Sequence, residues 1–567
     1  MQSNWLLLPV LAAFLTVGTH GVSFGQQLAS GPQVLTFFSE VDDTDQPYAI
    51  YLPPNFDAAR KYPLVISLHG AGSNHRLNLR RVFGKSNAPE ESDVEASRYF
   101  PEWEDVDFIV ASPFARGTMG YQGVAERDVH DVLADVKRRF PIDEDRIYLT
   151  GLSMGGGGAL WLGLTRPDVW AAVAPVCPAP PPGTHALAPN ALNLPFRLFQ
   201  GDADPVVPTD SVRAWVDRLM RHDVDVTYTE YPGVGHESWE NAYADGQIFD
   251  WFDRFRRNPH PDRVRFATRR YKYDGAYWVR LDALTPGTLA QIDARFTAPN
   301  RIEVTTSALD GFTLRLAGHP RFRPEQPVKI QIDGQALEVG ATDSLAFSRQ
   351  KGAWTAEAYK PPSQAKRRGL EGPMSEAVAG RHVYVYGTAD NPSEEELARR
   401  QARAVEAATW SVYRGPFWGR VHVFPRVLAD TEVRESDLET AHLVLFGTRA
   451  TNRLIERFGD RLPLHLDDAT GDYGLVYVFP VGRRYVLVSS GRPWWRTGSA
   501  SASPFAQAVP ALALTGRPDY LLFKESPETP VVEGHFDRNW RLPAEHAAPL
   551  RATGVVTVAD DAVEPSR

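Results

Sequence analysis

Between about Leu35 and Arg257 short apolar runs alternate with helical patterns. LVISL (Leu64–Leu68), FIVAS (Phe108–Ser112), RIYLT (Arg146–Thr150), FRLFQ (Phe196–Gln200) and VTYTEY (Val226–Tyr231) have the length and β-branched or aromatic content of short buried strands. Between them, Val129, Val132, Leu133, Val136 and Phe140 recur at helical spacing within Glu126–Phe140. Pro141 lacks the N–H needed to carry that helix further. Strands that alternate with helices predict a doubly wound, mostly parallel sheet covered on both faces, because parallel neighbours need crossover connections.

Pro259 and Pro261 mark a change of pattern. VRFATRR, YWVRLD, QIDARF, RIEVTTS, FTLRLAG and VKIQIDG alternate apolar and polar positions, the period of half-buried strands, so 262–360 is expected to be a small β-rich module. Lys360–Pro373 is expected to be a polar linker. Beyond it HVYVYGT (His382–Thr388) and LVLFGT (Leu443–Thr448) each precede a helical stretch, and GLVYVFP and RYVLVSS look like a closing strand pair. These predict a second α/β domain over 376–530. The stretch 544–567 lacks periodicity and is expected to be a flexible tail. At the other end, Trp5–Val17 is an apolar run broken by Pro9, too short to span a bilayer. Ser23 and Gly25 then stand at the −3 and −1 positions of a cleavage before Gln26, so residues 1–25 are expected to be a signal peptide and the protein to be secreted or periplasmic. No stable membrane insertion is expected after its removal.

Composition narrows the function without naming it. Of 567 residues 43% are hydrophobic and 23% charged, an ordinary globular balance. The formal net charge is −9, so no basic excess argues for a nucleic-acid partner. The one cysteine, Cys177, excludes an intrachain disulfide framework and a cysteine-rich zinc site. With no HExxH, clustered Cys/His or Asp-rich calcium loop, neither metal nor cofactor is expected.

The sharpest chemical signal is Gly151-Leu152-Ser153-Met154-Gly155, a G-x-S-x-G placed directly after RIYLT and before the helical run ALWLGL. A tight strand-to-helix turn there would lift the Ser153 hydroxyl above the sheet edge. A serine hydroxyl is a weak nucleophile at neutral pH unless a base sits within hydrogen-bond reach and a third group orients that base. Both partners follow in the chain order Ser, Asp, His: GDADPVVP follows FRLFQ, and PGVGHE follows VTYTEY. His236 is the candidate base. Asp204 is favoured over Asp202 as its orienter, because Pro205-Val206-Val207-Pro208 can form a rigid turn that aims a carboxylate inward, whereas Asp202 suits a turn-stabilising role. An oxyanion hole is expected from the Met154 N–H and the Ala71 N–H in His69-Gly70-Ala71-Gly72, where Gly70 and Gly72 allow close approach of backbone and substrate.

LHGAG, GLSMGGGG, GDADPVVP and GVGH, with the block DEDRIYLTGLSMGG (Asp143–Gly156), resemble the α/β-hydrolase superfamily. Within it they are similar to prolyl-oligopeptidase catalytic domains and to feruloyl-esterase or polyhydroxybutyrate-depolymerase-like esterases. The resemblance covers about Leu35–Arg257, under half the chain. It implies an α/β-hydrolase catalytic domain over 30–258 with Ser153 as nucleophile, Asp204 as orienter and His236 as base. The chain departs from full prolyl oligopeptidases, since no blade-like repeat precedes LVISL.

The expected activity is therefore an exported serine hydrolase acting on carboxylic esters, with acyl, feruloyl or acetyl esters of small molecules or polysaccharide as substrates. A serine peptidase of the prolyl-oligopeptidase type is the alternative, and it needs an anchor for a peptide terminus. A second alternative is a carbohydrate- or envelope-binding protein whose later domains carry the function. Trp239 is a candidate substrate contact, with Trp103 and Tyr121 as further aromatic candidates whose default is core packing. His75, Arg76, Arg80 and Arg81 form either a solvated basic face or a site for an anionic substrate group. Cys177, inside the proline-rich stretch Ala174–Pro189, is expected to pack as a small apolar residue.

Overall fold

A computed structural model describes residues 29–410, 422–467, 471–495 and 509–563. The expected signal peptide lies outside the described residues. Among the described residues no helix is long and apolar enough to cross a membrane.

The first part of the chain forms one eight-stranded sheet. Its strands are β1 (Gly31–Ser39), β2 (Thr44–Leu52), β3 (Tyr62–Leu68), β4 (Ile109–Pro113), β5 (Ile142–Leu152), β6 (Ala172–Val176), β7 (Phe196–Gly201) and β8 (Val226–Tyr231). They lie in the order β1-β2-β4-β3-β5-β6-β7-β8. β1 pairs antiparallel with β2, and β2 antiparallel with β4. From β4 to β8 every pairing is parallel. The alternation of side chains along β3 divides the core. Leu64, Ile66 and Leu68 face a layer that includes the helices Val124–Arg139, Met154–Thr165 and Thr209–Arg221. Val65 faces the other layer, made by the helices His75–Val82 and Gln247–Phe252. All seven β3 residues are buried, as expected of a strand covered on both sides.

The elbow helix Met154–Thr165 is unusual in having eleven of its twelve residues buried, with Trp161 the exception. A helix that is apolar all round must be enclosed on every side. Here the sheet covers one side, and the later modules help to cover the rest.

Arg263–Thr355 folds as two five-stranded sheets around a separate core that includes Phe266, Trp278, Ile292, Phe312 and Phe347. This sandwich is clamped to the first domain by Asn190, in the short helix Thr184–Asn193, whose amide donates to the Ala267 carbonyl (3.0 Å) and accepts from its N–H (2.6 Å). The C-terminal sheet has seven strands. Four adjacent strands, Arg426–Ala429, His382–Tyr386, His442–Phe446 and Arg484–Gly491, are parallel; Tyr473–Val481, Tyr520–Lys524 and Pro530–Gly534 continue it antiparallel. One contiguous apolar core runs from the hydrolase sheet into this one.

Two expectations need correction. Lys360–Pro373 is no free linker. Ala365, Lys366, Leu370 and Glu371 are buried, Lys366 pairs with buried Asp519, and the Tyr485 hydroxyl accepts the Glu371 N–H. Its buried polar residues satisfy partners in the neighbouring modules, Lys366 with Asp519 and Glu371 with the N–H groups of Tyr271 and Lys272. The stretch from 544 is not a flexible tail either. Ala544–Ala552 is a helix that buries Ala547 and Leu550, and Val556–Val558 pairs antiparallel with Leu464–Leu466. Pro549 inside that helix and its small apolar face hide the period that would have announced it.

Candidate active site

The site is assembled at the carboxyl ends of β3, β5, β7 and β8. Ser153 follows β5 directly and has φ 54° and ψ −116°, a conformation that a non-glycine residue holds only when its surroundings impose it. Its backbone is pinned by N–H to Val176 O (2.9 Å) and by N–H groups of Gly157 (2.9 Å) and Ala179 (3.1 Å) on its carbonyl. Gly155 explains the motif's spacing. A Cβ there would stand 2.2 Å from the Leu68 carbonyl oxygen, so the helix can approach β3 this closely only without a side chain.

His236, in the loop after β8, reaches both partners. Its Nε2 lies 2.9 Å from Ser153 Oγ and its Nδ1 lies 2.8 Å from Asp204 Oδ2. Asp204, after β7, receives four hydrogen bonds. Oδ1 accepts the N–H groups of Val206 (2.7 Å) and Val207 (2.9 Å); Oδ2 accepts from His236 and from Gln200 Nε2 (3.1 Å). Burial raises the Asp204 carboxyl, but the His236 hydrogen bond and the two backbone N–H donors outweigh it and hold the group below its usual range. Asp202 points elsewhere, is exposed, and accepts the Gly233 N–H at 2.6 Å.

The His69–Gly72 loop lies against the serine: a Cβ on Gly70 would sit 3.5 Å from Ser153 Cβ. The Gly72 N–H is engaged by Thr118 Oγ1 at 2.8 Å. Among the described residues the N–H groups of Ala71 and Met154 have no intramolecular acceptor. Two donors beside a serine hydroxyl are what an oxyanion requires. His69 anchors the loop, with its ring nitrogens 2.8 Å from Gly70 O and 2.8 Å from Phe114 O, and the Tyr121 hydroxyl donates to His69 O at 2.9 Å.

Trp239 stands edge-on to the His236 ring with centroids 5.4 Å apart, so it packs against the imidazole. Trp103 stacks on Phe83 in the core on the other side of the sheet. Three of the four basic residues after the oxyanion loop are engaged within the protein, Arg81 by Asp93 at 3.3 Å. Arg80 is buried and bonded to Ala96 O, Ser86 O and Glu91; Arg76 donates to Ser97 O and Arg98 O.

Gln200 carried no sequence signal of its own; it stands one residue before the end of β7 and steadies Asp204. Cys177, after β6, is wholly buried with φ 37°, and its thiol, with one atom each of Asp204 and His236, forms a group spanning no more than 4.8 Å. Burial pushes that thiol up to about 12. This is the only cluster of three potential metal ligands among the described residues, and both ring nitrogens of His236 are already engaged, Nδ1 by Asp204 and Nε2 by Ser153.

A cleft of about 620 Å³ begins at Met154 and is walled by all three modules. Its hydrolase wall includes Tyr121, Gly158, Trp161 and the Pro181–Pro182 turn; Arg270–Tyr273 come from the sandwich, and Pro373–Glu376 with Leu512 from beyond it. At its floor Glu126 accepts from the Tyr273 hydroxyl (2.7 and 2.8 Å) and from Lys272 Nζ (3.2 Å), while Arg270 Nη2 lies 2.7 Å from Glu376.

With that geometry in place, likeness to known proteins can be stated. Residues 39–189 match the family described as "Putative esterase". The chain is 30% identical over 135 residues to a poly(3-hydroxyoctanoate) depolymerase of Pseudomonas fluorescens, an overlap covering 21% of this chain and 43% of that protein. It therefore spans less than half the length of the curated relative it matches. Among solved structures it resembles a thermostable esterase (25% identity, TM-score 0.33, 40% of this chain and 63% of that one) and a ferulic acid esterase (21% identity, TM-score 0.32, 40% and 98%). The resemblance to serine esterases stated from the motifs is carried by the family match over the segment that holds Ser153 and the oxyanion loop.

Proposed function

We propose that this protein is a serine hydrolase that cleaves carboxylic esters outside the cytoplasm. The observation that carries the proposal is the unbroken chain Ser153 Oγ–His236 Nε2 (2.9 Å), His236 Nδ1–Asp204 Oδ2 (2.8 Å), beside the two free N–H groups of Ala71 and Met154. In the proposed reaction Ser153 Oγ attacks the ester carbonyl as His236 Nε2 takes its proton. Negative charge on the carbonyl oxygen is received by the Ala71 and Met154 N–H groups, each such donor contributing roughly 3–4 kcal/mol as judged by donor removal in other hydrolases. Asp204 keeps the Nδ1 proton in place and stabilises the imidazolium. His236 then protonates the leaving alcohol, and water, activated by the same imidazole, releases the acid from Ser153.

Ester chemistry is supported by the family match and by the relative named for depolymerising a polyester. Export is supported by the apolar run Trp5–Val17 and the small residues that follow it. Acyl, feruloyl and acetyl esters, free or on polysaccharide, make up the substrate panel. In that panel wild-type protein should hydrolyse p-nitrophenyl and natural acyl esters, and Ser153→Ala should lower kcat/KM by at least about 10³-fold with the fold unchanged. A wild-type protein inert to all esters yet active on aminoacyl anilides would overturn the ester reading in favour of a peptidase.

A further inference from the structure

The cleft that starts at Met154 raises a question of substrate chemistry. Its lining includes the apolar side chains Met119, Tyr121, Met154, Trp161, Leu187 and Leu512. Farther along, charged groups from the sandwich and the C-terminal module enter. Along the elbow helix, Trp161 is seven residues beyond Met154, which at 1.5 Å per residue places it about 10 Å away. Trp161 Nε1 lies 3.4 Å from Glu126, so charged groups enter the lining about two helical turns beyond Met154.

The three carboxylates of the lining are all engaged by donors of the wall. Glu126 is held by Tyr273 and Lys272, Glu371 by the N–H groups of Tyr271 and Lys272, and Glu376 by Arg270. The lining cations are differently placed. Lys366 is matched by Asp519, and Arg270 and Lys272 by the glutamates just named. Arg269 is exposed and, among the described residues, has no ion-pair partner. Among the described residues the ion pair of Arg517 is with Glu533 at 3.7 Å, beyond hydrogen-bond distance. Two guanidinium groups, Arg269 without an ion-pair partner and Arg517 facing Glu533 at 3.7 Å, thus line a cleft whose other charged groups are matched within its walls. A guanidinium binds a carboxylate through two parallel N–H donors, and low-dielectric walls strengthen that pairing.

Resting on the serine-hydrolase reading, we infer that the cleft takes esters with an extended apolar body ending in an anionic group, a carboxylate bound by Arg269 and Arg517. The accessory modules supply this specificity: the hydrolase sheet holds the reacting atoms, and the two later modules read the far end of the substrate.

The probes are the p-nitrophenyl monoester of suberic acid, which keeps one free carboxylate, and p-nitrophenyl octanoate, a neutral ester of equal chain length. At low ionic strength wild-type protein should show a kcat/KM ratio of anionic to neutral ester of at least tenfold. The ratio should shrink as salt screens the guanidinium groups. In Arg269→Gln/Arg517→Gln it should fall toward one, whereas Arg221→Gln, an exposed cation on another helix, should leave it as in wild type. Equal or better use of octanoate by wild type, or a ratio untouched by the double variant, would overturn the inference. Labelling by a fluorophosphonate is run alongside. A labelled enzyme without anionic preference refutes only the cleft's proposed role, while an unlabelled one refutes the serine-hydrolase reading and the inference with it.

Discussion

Replacing Asp204 by Asn changes almost no volume and so isolates what the carboxylate does. Four donors converge on it: the Val206 and Val207 N–H groups on Oδ1, and His236 and Gln200 on Oδ2. An asparagine has one oxygen to offer. If that oxygen faces the two backbone N–H groups, the amide NH2 is turned toward His236 and asks Nδ1 to accept. Nε2 must then carry the ring proton, and it can no longer take one from Ser153 Oγ 2.9 Å away. The opposite rotamer would set an NH2 against two N–H donors and leave them unpaired. The structure therefore selects the inactive tautomer, for which the loss in another serine hydrolase is about 10⁴-fold, or about 5 kcal/mol in the barrier. The assay is kcat/KM on a short p-nitrophenyl ester at neutral pH, with circular dichroism to confirm the fold. Asp202→Asn, which touches only the Gly233 N–H, should stay within about threefold of wild type, the range of an ordinary surface change. An Asp204→Asn enzyme within tenfold of wild type, or an Asp202→Asn enzyme that loses more, would refute the assignment of these two carboxylates.

Other outcomes follow from the same contacts. Gly155→Ala should destabilise the protein by about 3 kcal/mol in chemical denaturation and lower activity, since its Cβ would meet Leu68 O at 2.2 Å and His69 O at 2.7 Å, where the oxyanion loop begins. Cys177, buried beneath the serine with its thiol pushed up to about 12, should be inert to a thiol-specific disulfide reagent in native protein and react with one equivalent on unfolding; fast native labelling would contradict its placement. Burial raises the Glu371 carboxyl to about 7, against the pull of Arg270, so the folded state holds this proton more tightly than the unfolded state does. Its contribution to stability is then lost as pH rises from about 4.5 through about 7, and Glu371→Gln should flatten the fall in Tm across that window.

The convergence of Ser153, Asp204 and His236 in the candidate site could be anticipated in sequence because each of its parts is local. Gly151–Gly155, the turn after Phe196–Gln200 and the loop after Val226–Tyr231 each place one side chain just past a strand end, and a parallel sheet gathers such ends on one edge. The Asp204 turn could be preferred over Asp202 on backbone rigidity alone. What sequence could not show is what meets across the modules. Nothing local marks Glu126 as the acceptor of Tyr273, 147 residues later, or Lys366 as the partner of Asp519. Lys360–Pro373 looked like a linker because its charges resemble solvated ones until their partners are known. The helix Ala544–Ala552 was hidden by Pro549 and by burial of only Ala547 and Leu550. The basic residues near His75 show the opposite error: Arg76 and Arg80 are occupied by backbone carbonyls, whereas Arg269, without an ion-pair partner among the described residues, stands in a module where the sequence pointed to no chemistry.

The most direct test of the central claim is to locate a covalent adduct. Wild-type protein treated with a fluorophosphonate should gain one adduct by intact mass, and peptide mapping should place it on Ser153; His236→Ala should react far more slowly, and Ser153→Ala not at all. An adduct on another residue, or equal labelling of the Ser153→Ala protein, would contradict the account.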